Sequence, residues 1–330
     1  MRIEAFTEGK NLDAPDANED QFVVLPGCGY AVIDGVTDIS GRVIEGISTG
    51  RFASHVVQRA VAAIASDPVS ASGPPPFLIQ RISAALHATY VRLGMLEDVR
   101  DHPQHRFGAT LTLALDLGPV FRFIFVGDSG LRINATDVVM DGAGLDRVTA
   151  VLRQEAFRII DEAGGGLESK RRIGRLCSYF GAARLHQDMR PWLDATGVAV
   201  LRERSLAASR KLFPDAPIAD IRHLVDNGIS GQTQFQNNTS SPFSYSVFDG
   251  FEIPFSLVKV MELPRASLSS IELFTDGYFK VGATADVGAW ESSFAEVERV
   301  DPEKIAAYPS VKGSSARTHT DDRTVLIVHL

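Results

Sequence analysis

Five aspartates stand at the ends of strongly apolar, strand-like runs that lie far apart in the chain. Asp20 opens onto "QFVVL", Asp34 closes "YAVI", Asp128 closes "FRFIFVG", Asp276 closes "IELFT" and Asp321 opens "DRTVLIV". Strands that share a sheet bring such ends together. Carboxylates gathered in that way repel one another and hold protons more tightly unless cations fill the space between them. An all-oxygen donor set favours Mg²⁺ or Mn²⁺ over zinc. Glycine follows both Asp34 and Asp276, which lets the backbone come close to an ion and frees a carbonyl as a ligand. Asp-Gly is also a common turn signal. The chain carries it at 34, 141, 249 and 276, so position has to separate chemistry from turns.

The elements that would position these residues follow from the patterning. Strand character spans residues 21–25, 30–33, 110–117, 121–126, 271–274 and 324–330, rich in Val, Ile, Phe and Thr and bounded by Gly, Pro, Asp or Asn. Leu111, Leu113 and Leu115 alternate with Thr112, Ala114 and Asp116, which predicts a strand with one buried face. Two helices are predicted between the second and third strands. The first starts at Ser48 or Thr49 and carries Phe52, Val56, Ala60 and Ile64; the second carries Phe77, Ile82, Leu86, Tyr90 and Leu93. Strands, paired helices and strands again suggest helices packed on a largely antiparallel sheet system. Residues 147–225 read differently, as helix-rich and Arg-dense. After them "SYSVFDGFEIPFSLVKV" predicts a hairpin turning at Asp249-Gly250.

Composition narrows the function classes. The chain has 330 residues, is 45% hydrophobic and carries a formal charge of -8. That balance suits a globular core and argues against non-specific nucleic-acid binding, which needs clustered Lys and Arg. Cys28 and Cys177 lie far apart with no CxxC or Cys/His spacing, so free thiols in a reducing compartment are expected. The first residues show no apolar signal core and no run reaches membrane-span length, so the expected setting is cytoplasmic, with no membrane partner.

Six blocks in this order, "NEDQF", "AVIDGVTD", "FGATLTLAL", "FIFVGDSG", "ELFTDG" and "DDRTVLIV", resemble the metal-dependent protein serine/threonine phosphatases (PPM family, type 2C), in a divergent form of bacterial type. The resemblance covers residues 18–134 and 265–330. It implies an α+β fold, a four-layer α-β-β-α sandwich of two antiparallel sheets flanked by helices. Residues 1–330 would then be a single domain with a helix-rich insertion at 147–245. It also implies two Mn²⁺ or Mg²⁺ ions and room for a weak third. Asp34 would bridge two ions, with the Gly35 carbonyl on one of them and Asp276 and Asp321 on the other. Asp20 would hold metal-bound water, and Asp128 would serve the third ion. Asp34 and Asp20 are thus the expected catalytic residues. Gly108-Ala109-Thr110 matches a block of small residues with a structural role. The implied activity is hydrolysis of phosphoserine and phosphothreonine in a protein substrate, by a hydroxide between the ions attacking phosphorus in line.

Three positions depart from the family pattern. Pro15 stands where many members have a phosphate-gripping Arg, Val36 where many have a His, and Lys280 where many have a further Asp. Arg42 or Arg51 could reach phosphate instead, and His319 could donate a proton. An ammonium at Lys280 would pair with Asp128 and oppose a third cation, or else point to solvent. His102 and His105 in "DHPQHRF" read as an ordinary loop. Two alternatives stay open: a catalytically silent phosphatase-like sensor or binding module, and a monoesterase of small phosphate esters with the insertion as a lid.

Overall fold

The protein is described by a computed structural model covering residues 1–140, 142, 144–184 and 187–330. Asp141, of the second Asp-Gly pair, lies outside the described residues. In chain order the first strands are β1 (Arg2–Glu8), β2 (Gln21–Leu25), β3 (Gly29–Ile33) and the short β4 (Val43–Ile44) and β5 (Ile47–Ser48). Helices α1 (Thr49–Ala65), α2 (Pro68–Ala71), α3 (Pro75–Leu93) and α4 (Leu96–Asp101) follow. Next come β6 (Leu111–Asp116), β7 (Val120–Val126), β8 (Gly130–Ile133) and β9 (Asp137–Val139). A run of helices, α5 (Gly144–Glu162), α6 (Leu167–Phe180), α7 (Ala195–Leu212) and α8 (Ile218–Asn227), precedes β10 (Lys259–Pro264), β11 (Ser270–Phe274), α9 (Val287–Val300) and β12 (Arg323–His329).

The strands build two five-stranded sheets, β1-β12-β11-β8-β9 and β10-β7-β6-β3-β2, in which every pairing is antiparallel. Side-chain alternation assigns the layers. Tyr30, Val32, Phe121, Phe123 and Phe125 meet Leu131, Leu273, Leu326 and Val328 between the sheets. Ile33, Leu111, Leu113 and Leu115 point the other way, onto α1 and α3. Val325 and Ile327 point outward onto Trp290 and Phe294 of α9. The fold is therefore the four-layer α-β-β-α sandwich that the resemblance implied.

That layering corrects the reading of β6. Thr112 and Ala114 are as deeply buried as the leucines, because the strand is covered by helices on one face and by the other sheet on its second. The predicted hairpin at 249–250 does not form either. Phe248 bridges to Ala109, Phe255–Leu257 is a 3₁₀ turn, and β10 pairs with β7 instead. Asp249-Gly250 remains a bend, in which Asp249 Oδ1 accepts from the Phe251 N–H at 3.0 Å.

The α5–α8 helices share their own apolar centre, including Leu152, Ile160, Leu201, Leu224 and Phe243. Their arginines are mostly tied internally. Arg153 donates to the carbonyls of Glu303, Lys304 and Ser310, Arg172 pairs with Asp188, Arg202 with Asp226 and Arg204 with Glu162. No helix among the described residues is long and apolar enough to cross a membrane.

Candidate metal centre

The two strands that end at Asp34 and Asp276 place those residues at the same end of the sandwich, and local sequence holds each in place. After β3, the Thr110 N–H donates to the Asp34 carbonyl (2.8 Å) and the Val36 N–H to the Gly108 carbonyl (2.9 Å). The Gly108-Ala109-Thr110 block therefore zips onto residues 34–36. A Cβ on Gly35 would sit 2.3 Å from the Gly50 carbonyl oxygen, and one on Gly277 would sit 2.1 Å from that of Asp322. Real Cβ contacts are never so short, so glycine after each of these aspartates is required by backbone packing as well as by any ligand.

Asp20 is buried behind them. The Thr275 hydroxyl accepts from the Thr324 N–H (2.9 Å) and donates to Asp20 Oδ2 (2.8 Å), while the Asp20 N–H donates to Asn18 Oδ1 (2.8 Å). The other carboxylate oxygen, Asp20 Oδ1, has no partner among the described residues, and Asp276 Oδ1 has none either. Two unpartnered carboxylate oxygens in a buried acidic cluster cost free energy unless something cationic reaches them.

The electrostatics describe one cluster. Burial raises the Asp34 carboxyl well above the ordinary carboxylate range, and Asp276, Asp20, Asp321 and Asp128 push it further. Asp276 is raised first by burial and then by Asp321 and Asp128; Asp20 is raised first by burial and then by Asp322. The structure thus brings together all five aspartates that the strand ends singled out.

It adds residues that the sequence did not reveal. Asp146, in the first turn of α5, faces Asp128. Burial followed by that neighbour lifts Asp128 to about 7, and burial followed by Asp276 lifts Asp146 to about 7. Lys10 Nζ lies 3.1 Å from Asp321 Oδ1 and 3.1 Å from Asp322 Oδ2, and Lys312 Nζ lies 2.7 Å from Asp321 Oδ2. Burial alone would raise Asp321, but these two ammonium groups outweigh it and hold the carboxyl far below its usual range. Glu19, inside the "NEDQF" block, accepts from Lys10 (3.0 Å), Thr37 (2.6 Å) and Ser48 (2.7 Å), and so tethers the 37–48 loop and the start of α1.

Lys280 is not in the cluster. Its ammonium pairs with Glu296 of α9 at 2.5 Å and is substantially exposed. The chain turns away after Gly277, so the expected repulsion at Asp128 does not arise, and Asp146 supplies a further carboxylate there. The proposed substitutes also lie elsewhere. Arg42 pairs with Asp38 (2.7 Å), and the His319 ring packs edge-on against Phe294. Neither these residues nor Arg51 lines the cavity above the cluster.

That cavity has a volume of about 650 Å³. Asp34, Asp128, Asp146, Asp276 and Asp321 form its floor together with Lys312, and Tyr179, Ile229, Gln232 and Tyr245 of the helical segment stand in its wall.

The chain is similar to bacterial serine/threonine phosphatases. The Mycobacterium tuberculosis serine/threonine phosphatase PstP/Ppp matches over 100% of this chain and 98% of its own, at 14% identity and a TM-score of 0.47. Stp1 from Staphylococcus aureus matches over 100% and 95%, at 10% identity and 0.46. The PstP catalytic domain in complex with two manganese ions matches over 99% and 96%, at 13% identity and 0.43. No family model matches the sequence, and no curated protein matches it. At such distances the side chains themselves have to carry the reading of the site.

Proposed function

We propose that the chain is a metal-dependent phosphoprotein phosphatase acting on phosphoserine and phosphothreonine, a single PPM-type domain with 147–245 as its insertion. The observation that carries this reading is the buried carboxylate cluster with two oxygens, on Asp20 and Asp276, that no group among the described residues satisfies. The donor set is all oxygen and fits Mn²⁺ or Mg²⁺. Asp34 and the Gly35 carbonyl, with Asp276 and Asp321, would hold two ions; Asp20 would orient their water, and Asp128 with Asp146 would hold a weaker third. Ions in that position supply Lewis acidity that turns water into a nucleophile near neutral pH and offsets charge on phosphate.

The chain's own residues do the rest. Gly108-Ala109-Thr110 fixes Asp34 by backbone hydrogen bonds. Lys312, on the cavity floor, presents the positive charge that Pro15 lacks and holds the substrate phosphate. Val36 offers no proton, so the leaving alkoxide takes one from water. The wall from the helical segment selects what enters, and a phosphorylated protein is the proposed partner. The thiols of Cys28 and Cys177 are free, which fits the cytoplasmic setting proposed here.

One observation favours a second reading. A cavity of about 650 Å³ lies within the ordinary range for small-molecule sites, which suits a small phosphate monoester. The purified chain, assayed with Mn²⁺ and with chelator on a phosphopeptide and on an aryl phosphate, tests both. Turnover that chelator abolishes and that favours the phosphopeptide supports the first reading. Preference for the aryl phosphate supports the second. No turnover of either with Mn²⁺ overturns both and returns the chain to a silent binding module.

A further inference from the structure

Two histidines and an aspartate converge on the surface beside the cavity wall. Asp98 sits in α4, His102 follows its end, and His105 closes the 3₁₀ turn at Pro103–His105. His105 Nδ1 is 2.9 Å from Asp98 Oδ2, and His102 Nδ1 is 3.2 Å from Asp98 Oδ1. The two rings stack with centroids 5.1 Å apart and planes 27° apart, so both imidazoles address the same carboxylate. One ring nitrogen from each His and one carboxylate oxygen lie within 4.8 Å of one another.

We propose that Asp98, His102 and His105 form a zinc-class metal site, separate from the acidic cluster. Two imidazole nitrogens and one carboxylate oxygen are a borderline donor set suited to Zn²⁺, and three protein ligands leave one position for water. With metal–ligand bonds of about 2.0–2.1 Å, the edge of a tetrahedral site is about 3.4 Å. Both nitrogens already lie near that length from one and the same oxygen, Asp98 Oδ1, His105 Nδ1 at 3.0 Å and His102 Nδ1 at 3.2 Å. Only the two nitrogens have to move toward each other, and all three side chains are exposed enough to rotate. The sequence signal is the spacing of 98, 102 and 105, which is i, i+4, i+7; reading the two His residues without Asp98 hid it.

The position gives the site a consequence. His105 leads directly into Arg106, Phe107 and Gly108, which line the cavity, and the Gly108 carbonyl holds the Val36 N–H two residues beyond Asp34. The His105 carbonyl also accepts from Arg42 Nη2 at 3.0 Å, and Arg42 pairs with Asp38. A metal bound across 98–105 staples the segment that carries one wall of the cavity. None of this depends on the phosphatase reading.

The test uses the full chain in excess Mg²⁺, which occupies hard-oxygen sites, with Zn²⁺ titrated calorimetrically. One further equivalent of Zn²⁺ is expected, with slowed amide exchange across residues 98–108. A His102→Ala/His105→Ala double variant should lose both effects, and Asp98→Asn should weaken them without disturbing the fold. Co²⁺ adds a spectroscopic readout: strong visible d–d absorption from a low-coordinate N₂O site in the native chain, and only weak octahedral absorption in the double variant. No additional zinc equivalent in the native chain, or the same equivalent in the double variant, overturns the proposal and leaves an ordinary His–Asp surface pair.

Discussion

Asp34 is held where a carboxylate harms the fold. Burial and four neighbouring aspartates all act against its charge, and stability given up in this way marks a functional group more often than a structural one. Asp34→Asn removes one of the mutually repelling charges and keeps the shape. We expect it to abolish Mn²⁺-dependent turnover while raising the melting temperature of the chelated protein. A variant that keeps its activity, or melts lower in chelator, contradicts the assignment. Lys312 is the opposite case, a cation between the acidic floor and the open cavity. Lys312→Met should raise KM for an aryl phosphate and weaken inhibition by inorganic phosphate about tenfold, as expected for loss of a charged hydrogen bond worth roughly 1.5 kcal/mol. The fall in kcat should be smaller. Unchanged phosphate inhibition would remove Lys312 from substrate binding.

Among the elements, α9 is docked onto the first sheet through buried polar chemistry. Glu272 of β11 accepts from Arg132 Nε of β8 (2.8 Å) and from the Trp290 indole of α9 (2.7 Å), and Arg132 and Glu272 are both buried. Glu272→Ala strands the guanidinium without its counter-charge, and denaturant unfolding should show a loss of about 3–5 kcal/mol. A loss below about 1 kcal/mol would mean that solvent reaches the pair. In the helical segment, Tyr179 and Gln232 line the cavity, whereas Arg171 is bound to Glu303 at 2.9 Å and serves to anchor the segment. Tyr179→Ala with Gln232→Ala should therefore raise KM for a phosphopeptide and leave aryl phosphate turnover near native; equal losses on both would make the wall merely structural. The same elements show what was legible in the sequence. The central strands β3, β6, β7, β11 and β12 could be read because burial makes them apolar, and the edge strand β2 because its QFVVL run is apolar although mostly half-buried; the aspartates at their ends could be read with them. The first strand, RIEAFTE, could not, because it pairs only with β12 at the sheet edge and keeps a mostly half-exposed, charged pattern. Asp146 ends no apolar strand-like run that could have marked it, and only tertiary packing places it opposite Asp128. Lys10 and Lys312 belong to irregular segments with no periodicity to read. For Lys280 the sequence left pairing with Asp128 and exposure to solvent both open, because its distance from Asp276 along the chain says nothing of the turn the backbone takes after Gly277.

At the scale of the whole molecule, the acidic cluster makes stability, pH and cations a single linked equilibrium. Unfolded, Asp128 and Asp146 titrate near 3.8; folded without cations, both titrate at about 7. Between those values the folded chain binds more protons than the unfolded one, so stability falls as pH rises through that window. Asp20, Asp34 and Asp276 shift in the same direction, whereas Asp321, held low by two lysines, is ionised folded and unfolded throughout this window and adds no slope to it. The chelated protein should accordingly melt higher at about pH 6 than at about pH 8. Mn²⁺ should reverse this order, because cations bind the deprotonated cluster and their stabilising effect grows as protons leave. The formal charge of -8 would by itself give a weak trend of the same sign through general self-repulsion. An Asp128→Asn/Asp146→Asn double variant separates the two causes. It keeps nearly all of the surface charge and loses the two groups that titrate at about 7, so its melting temperature in chelator should be much flatter with pH over this range. A double variant as steep as the native chain would assign the trend to Asp20, Asp34 and Asp276 or to net charge, and would remove Asp128 and Asp146 as its source.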